Sequence, residues 1–122
     1  MVTPGSERED ARELLTGAYA AFNARDIARA LALMHPAVEW SNGMEGGYVH
    51  GHDAVRDYWT RQWGQIDPHV EPLSFTADEA GRTVVDVHQV VRDLSGRVVA
   101  ERMVRHVYAI EGGLIRRMDI RT

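Results

Sequence analysis

The stretch VVDVHQV, residues 84–90, sets an acid and an imidazole two residues apart. Side chains of a strand alternate between faces, so Asp86 and His88 share one side, with Val85 and Val87 on the other. Imidazole titrates near neutrality, and a neighbouring carboxylate can orient the ring and set its tautomer, so this pair suits general acid–base chemistry. Residues of the same types recur in RHVY as His106 and in RMDI as Asp119. The turns between the segments relate all four. Asp93-Leu-Ser-Gly96 fits a type I turn with glycine in the left-handed position, giving a bulged hairpin, and Gly112-Gly113 fits a two-residue loop.

If Asp93 faces Arg97, then Val84 faces His106, Asp86 faces Val104 and His88 faces Arg102. Across the second turn His106 faces Asp119 and Tyr108 faces Arg117. Asp86, His88, His106 and Asp119 then occupy one face as candidate catalytic groups, ~5 Å apart when directly opposed and ~7–8 Å on the diagonal. The other face carries Val85, Val87, Val91, Val99, Met103, Val107, Met118 and Ile120. Two assignments stay open. Either the polar face is concave and lines a site while the valine face is buried in a homodimer, or the valines pack on helices and the Asp/His face meets water. A slip of one residue at either turn exchanges the faces.

Helices must supply the rest. Ala11, Leu14, Leu15, Ala18, Tyr19 and Phe22 form a helical stripe, with Ser6 and Glu9 as a capping box and residues 1–6 as a flexible extension. Asp26 caps a second helix with the stripe Ile27, Ala30, Leu31 and Met34, ended by His35-Pro36. A short strand, 38–42, and the glycine-rich loop GMEGGYVHG follow. A third helix carries Val55, Tyr58, Trp59 and Trp63. Then come four strands, 70–77, 83–92, 98–110 and 114–121, the first placed at a sheet edge by Pro72. This order indicates an α+β fold with helices covering one face of a meander, in a single domain of 122 residues.

The segments AYAAFNARDIARALALMHPAVEW, GHDAVRDYW and HVYAIEGGLIRRMDI resemble the nuclear-transport-factor-2-like superfamily, in particular its SnoaL-like and ketosteroid-isomerase-like members. The resemblance implies a cystatin-like cone: three N-terminal helices packed in a curved, mostly antiparallel sheet, with an apolar pocket at the open end. It also allows the isomerase pattern to be compared position by position. The general-base position falls on Asn42, the first-helix tyrosine position on Ala18 with Tyr19 turned ~100° away, and the oxyanion-hole acid position on His106. All three have changed, so classical ketosteroid isomerase activity is not expected.

The expected protein is a cofactor-independent enzyme moving protons on a small apolar molecule of polyketide, terpenoid or steroid type, as isomerase, cyclase or dehydratase. His106 or His88 is the acid or base, Asp86 or Asp119 its orienter, and Asn42 and Tyr108 are donors to a substrate oxygen. Trp40 walls the pocket, and Tyr58, Trp59 and Trp63 border its mouth. The alternative is a non-catalytic binding or assembly module with the same cone. His50-Gly-His52-Asp53 has metal-ligand residue types, but a helix start explains Asp53 more simply, so no metal and no cofactor is expected. His35 and His69 adjoin prolines and are expected at the surface.

Composition excludes other classes. A net charge of −4 leaves no basic stripe for phosphates, so nucleic acid is not an expected partner. There is no cysteine for a disulfide or a thiolate nucleophile. No apolar run approaches the ~20 residues of a membrane span, and a cytoplasmic location is the expectation.

Overall fold

A computed structural model describes residues 4–121. Helix α1 spans Pro4–Asn23, so the expected Ser6 cap lies inside the helix, and residues 1–3 of the expected extension lie outside the described residues. The helix closes where Arg25 takes φ 61° and Asp26 N–H reaches back to Ala21 C=O at 2.8 Å. Helix α2 follows at Ile27–Ala32, its first turn capped by the Asp26 carboxylate accepting from Arg29 N–H. It ends two residues before Met34, which opens strand β1, Met34–Ser41. The pre-proline restriction on His35 therefore shapes a strand rather than ending a helix. Within the glycine-rich loop a short strand β2, Tyr48–His50, pairs antiparallel with β1 and feeds helix α3, Gly51–Trp63.

Strands β3 (Asp67–Ala77), β4 (Thr83–Arg92), β5 (Val98–Glu111) and β6 (Leu114–Arg121) form the meander. The six strands are ordered β2-β1-β6-β5-β4-β3, antiparallel except for the β1–β6 pair. The helices pack in the hollow of this sheet to form a cone, and β3, with Pro68 and Pro72, is an edge strand as its prolines require.

Both hairpin turns are as the residues demand: Asp93 N–H bonds Arg97 C=O at 2.8 Å, and Gly96 sits at φ 94°. The register beyond them is not. Arg92 pairs with Val98 but Val91 with Ala100, so Val99 is an extra residue on β5. Ala109 pairs with Arg117 but Ile110 with Ile115, so Arg116 is an extra residue on β6. Each bulge shifts the pairing by one and turns the following side chains to the other face. His106 consequently pairs with Val85 and Ile120, not with Val84 and Asp119. Val85, Val87, Val104, Tyr108 and Met118 join Leu15, Ala18 and Tyr19 of α1 in the core. Met103 turns outward and is about half exposed.

Candidate functional site

Two elements supply the polar centre of the cone. The stripe that buries Leu15 and Ala18 also turns Tyr19 inward from α1. The Val99 bulge turns His106 and Tyr108 inward from β5. Tyr108 O–H donates to the Tyr19 oxygen at 2.8 Å, and the Tyr19 oxygen lies 2.7 Å from His106 Nδ1. The Tyr19 ring stacks on the imidazole, with centroids 5.8 Å apart and planes 8° from parallel. A buried phenolic proton needs an acceptor, and Tyr19 has Nδ1 before it. Nδ1 is therefore the accepting nitrogen, and the ring's own proton sits on Nε2.

Burial sets the ionisation of this triad. With no carboxylate against it, His106 is pushed down to about 4 by loss of solvation. Burial likewise raises Tyr19 and Tyr108 above the usual phenol range, so both stay protonated donors. The three groups form a one-way chain of neutral hydrogen bonds. It ends at Tyr108, whose loss of a proton would leave a buried phenolate. His106 thus presents a fixed N–H donor, in place of the neutral-pH acid or base expected of it.

These groups border a cavity lined by Ala18, Phe22, Met34, Val70, Met118 and Ile120, with Trp40, Tyr58 and Trp59 as aromatic walls. Trp40 and Trp59 meet edge to face at 5.4 Å. Ser41, Gln62 and Gln89 complete the polar lining, and none of the described lining residues carries a carboxylate or a guanidinium. The space open to water centres is about 70 Å³.

Of the ten expected site residues, His106, Trp40, Tyr58, Trp59 and Tyr108 come together here. Tyr108 gives its proton to Tyr19, so it supports the chain instead of donating to a substrate. The other acids and His88 lie on the convex face, because each bulge reverses the alternation. Asp86 pairs with Arg105 at 2.9 Å and accepts from Ser74, contacts that lower its carboxyl. His88 faces Glu101 at 3.6 Å. Burial would raise Asp119, but Arg117 at 3.0 Å and the Tyr48 hydroxyl hold its carboxyl below the usual range. Asn42 is buried, but its Oδ1 accepts from Met44 and Glu45 N–H, tying down the loop before β2. Trp63 packs on Phe22 and Trp59 behind the wall, under the Arg25 guanidinium. His52 Nε2 bonds Met34 C=O, and no cluster of three metal-ligating side chains occurs among the described residues.

Tyr19, Ser41, Gln62 and Gln89 are the polar lining residues that sequence reasoning missed. The spacing Leu15, Ala18, Tyr19, Phe22 already placed Tyr19 on the inward stripe, and Gln89 continues the Val85, Val87 alternation. No described helix is long and apolar enough to cross a membrane.

The family model of the SnoaL-like domain matches residues 15–118. No curated protein sequence matches the chain significantly. Among solved structures, TerC co-crystallised with polyporic acid is 28% identical, with a TM-score of 0.79 over 91% of this chain and 89% of that one. An NTF2-like protein of unknown function from Burkholderia pseudomallei is also 28% identical, with a TM-score of 0.79 over 91% and 88%. A cystatin-fold protein from Novosphingobium aromaticivorans shares the fold at 18% identity, with a TM-score of 0.75 over 90% and 96%.

Proposed function

The chain belongs to the SnoaL-like domain family, and from that premise we propose that it is a cofactor-independent enzyme acting on a small, largely apolar, oxygen-bearing molecule held in the cone. The observation that carries the reading is the chain Tyr108–Tyr19–His106, which fixes an imidazole N–H in an aromatic cavity. A prefixed donor in a water-poor site is worth most where negative charge gathers on oxygen, as when a ketone enolises during isomerisation, cyclisation or dehydration. The electron pair of the broken C–H bond forms the new C=C bond, the carbonyl π pair moves onto oxygen, and Nε2–H donates a hydrogen bond to the charge gathered there. The proton leaves to water or to a basic atom of the substrate itself. TerC, at 28% identity, was co-crystallised with polyporic acid, which supports a small-molecule ligand here.

Exchange of α-protons in heavy water tests this without knowledge of the natural substrate. Ketones of polyketide, terpenoid and steroid type are incubated with the protein, and deuterium uptake is read by mass spectrometry. At least one bound ketone is expected to exchange faster with protein than without. His106→Phe is expected to cut that rate by roughly 10²–10³, the worth of one such donor, and His106→Gln, which keeps an N–H, by less. A second reading, a binding module without chemistry, is favoured by the lack of a carboxylate in the described lining. Tight binding with no exchange by any bound ketone decides for it.

A further inference from the structure

The inward row of β4 runs Val85, Val87, Gln89, Val91. The valines are buried, and Gln89 is the polar member of the row. Gln89 lines the cavity, and its amide has no side-chain partner among the described residues. Directly opposite on β5 stands Arg102, which continues the inward alternation of Tyr108, His106 and Val104. Arg102 is exposed, so the pair stands where the cone opens to water. Side chains directly opposed on one face start ~5 Å apart, so guanidinium and amide can reach one group between them.

The cation of this pair is unspent. Elsewhere on the sheet Arg105 pairs with Asp86, Arg116 with Glu39 and Glu111, and Arg117 with Glu39 and Asp119. Arg102 has no carboxylate partner among the described residues, and its neighbour Glu101 is turned to the convex face against His88. A polar side chain in an inward row costs free energy unless water or a ligand meets it. An arginine fork beside a neutral amide matches the two oxygens and single charge of a carboxylate better than the near-double charge of a phosphate. Strands rise about 3.3 Å per residue, so this corner lies about 13 Å along β5 from His106.

We propose that Arg102 and Gln89 form an acid-binding corner at the mouth of the cone, which selects ligands carrying a carboxylate: the acid rests on the Arg102 guanidinium and the Gln89 amide while the apolar body lies in the cavity. This rests on the small-molecule reading above and adds the group that decides which molecule enters and which end enters first. The acid stays at the opposite end of the ligand from His106, so the corner orients the molecule and takes no part in the chemistry.

Calorimetric titration of the whole chain with phenylhexanoic acid, its primary amide and its methyl ester separates charge, hydrogen bonding and apolar burial. The acid is expected to bind about tenfold tighter than the ester, the worth of one charge-assisted hydrogen bond, with the amide between them. Arg102→Gln, at an exposed position that leaves the fold intact, brings the acid down to about the amide's affinity and spares the ester. Gln89→Leu weakens acid and amide about threefold each and spares the ester. Raising salt from about 0.01 M to about 1 M cuts the screening length from about 30 Å to about 3 Å, which weakens the acid in the wild type and not in Arg102→Gln. Equal affinity for acid and ester overturns the corner while leaving the pocket standing, and so does acid binding indifferent to Arg102→Gln. Acid binding indifferent to Gln89→Leu overturns the amide's part in it. Binding of none of the three probes overturns the small-molecule reading along with the corner.

Discussion

A histidine held down to about 4 in the fold, against 6.5 in a free chain, links folding to pH through a single ring. Its neutral form is the one the fold accepts, so the stabilisation is complete above pH 6.5. As pH falls from 6.5 to about 4, the unfolded chain gains a proton that the folded one refuses, and stability is lost. The gap of about 2.5 pH units corresponds to about 3 kcal/mol. Urea unfolding at pH 7.5 and pH 4.5 should show about 2.5 kcal/mol more acid loss in the wild type than in His106→Gln, since pH 4.5 is still above the folded value; equal losses would mean the ring is hydrated. Tyr19 carries the other half of the arrangement. Tyr19→Phe leaves Tyr108 O–H and His106 Nδ1 without partners, at an expected cost of about 1–3 kcal/mol in thermal unfolding. It also frees the tautomer, so ¹⁵N shifts of the imidazole should move from a single Nε2–H form towards a mixture.

Element by element, what the residues made legible was the part governed by local chemistry. Asp26 caps α2, Gly96 takes the left-handed turn position and Pro72 lies on an edge strand, each for a reason contained in a few neighbouring residues. The bulges at Val99 and Arg116 were not legible. Both residues suit a regular strand, and only the fit of β5 to its partners decides that one of them is skipped. That missing count sent Asp86, His88 and Asp119 to the wrong face, yet His106 still reached the cavity. Its placement came from family resemblance, which counts along one strand and does not depend on pairing. Tertiary ties between elements were equally hidden. The Asn23 side chain behaves as a piece of strand, donating to Val70 C=O at 2.7 Å and accepting from Val70 N–H at 3.0 Å, and so pins the end of α1 to β3. Asn23→Ala should cost about 1–3 kcal/mol and raise amide exchange at Val70 first; exchange that rises uniformly would argue against a local pin.

At the scale of the whole molecule, the two sheet faces predict opposite responses to the same substitution. Val87 is fully buried against the helices, so Val87→Glu should leave the chain unfolded or insoluble. Met103 on the convex face, with Val98 and Val99 at the start of β5, leaves about half of each side chain in water. We expect a second copy of the chain to cover that face. Light scattering at micromolar concentration should then give a dimer for the wild type and a folded monomer for Met103→Glu. A monodisperse wild-type monomer would leave the convex apolar residues merely exposed.

The parallel pair β1–β6 joins the first long strand to the last, Met34 beside Ile115 and Trp40 beside Met118. Nothing local can nucleate that pairing, because the loop it closes holds nearly the whole sheet, and loop-closure entropy must be met before the contact stabilises anything. Helices and the β4–β5 hairpin can form early, while the seam waits for β6. Until it forms, β1 and β6 each present an open edge to other chains. The time during which the protein is prone to aggregate is therefore set by its last strand, and a refolding experiment should find that loss of β6 contacts slows recovery more than an equally destabilising change in α1.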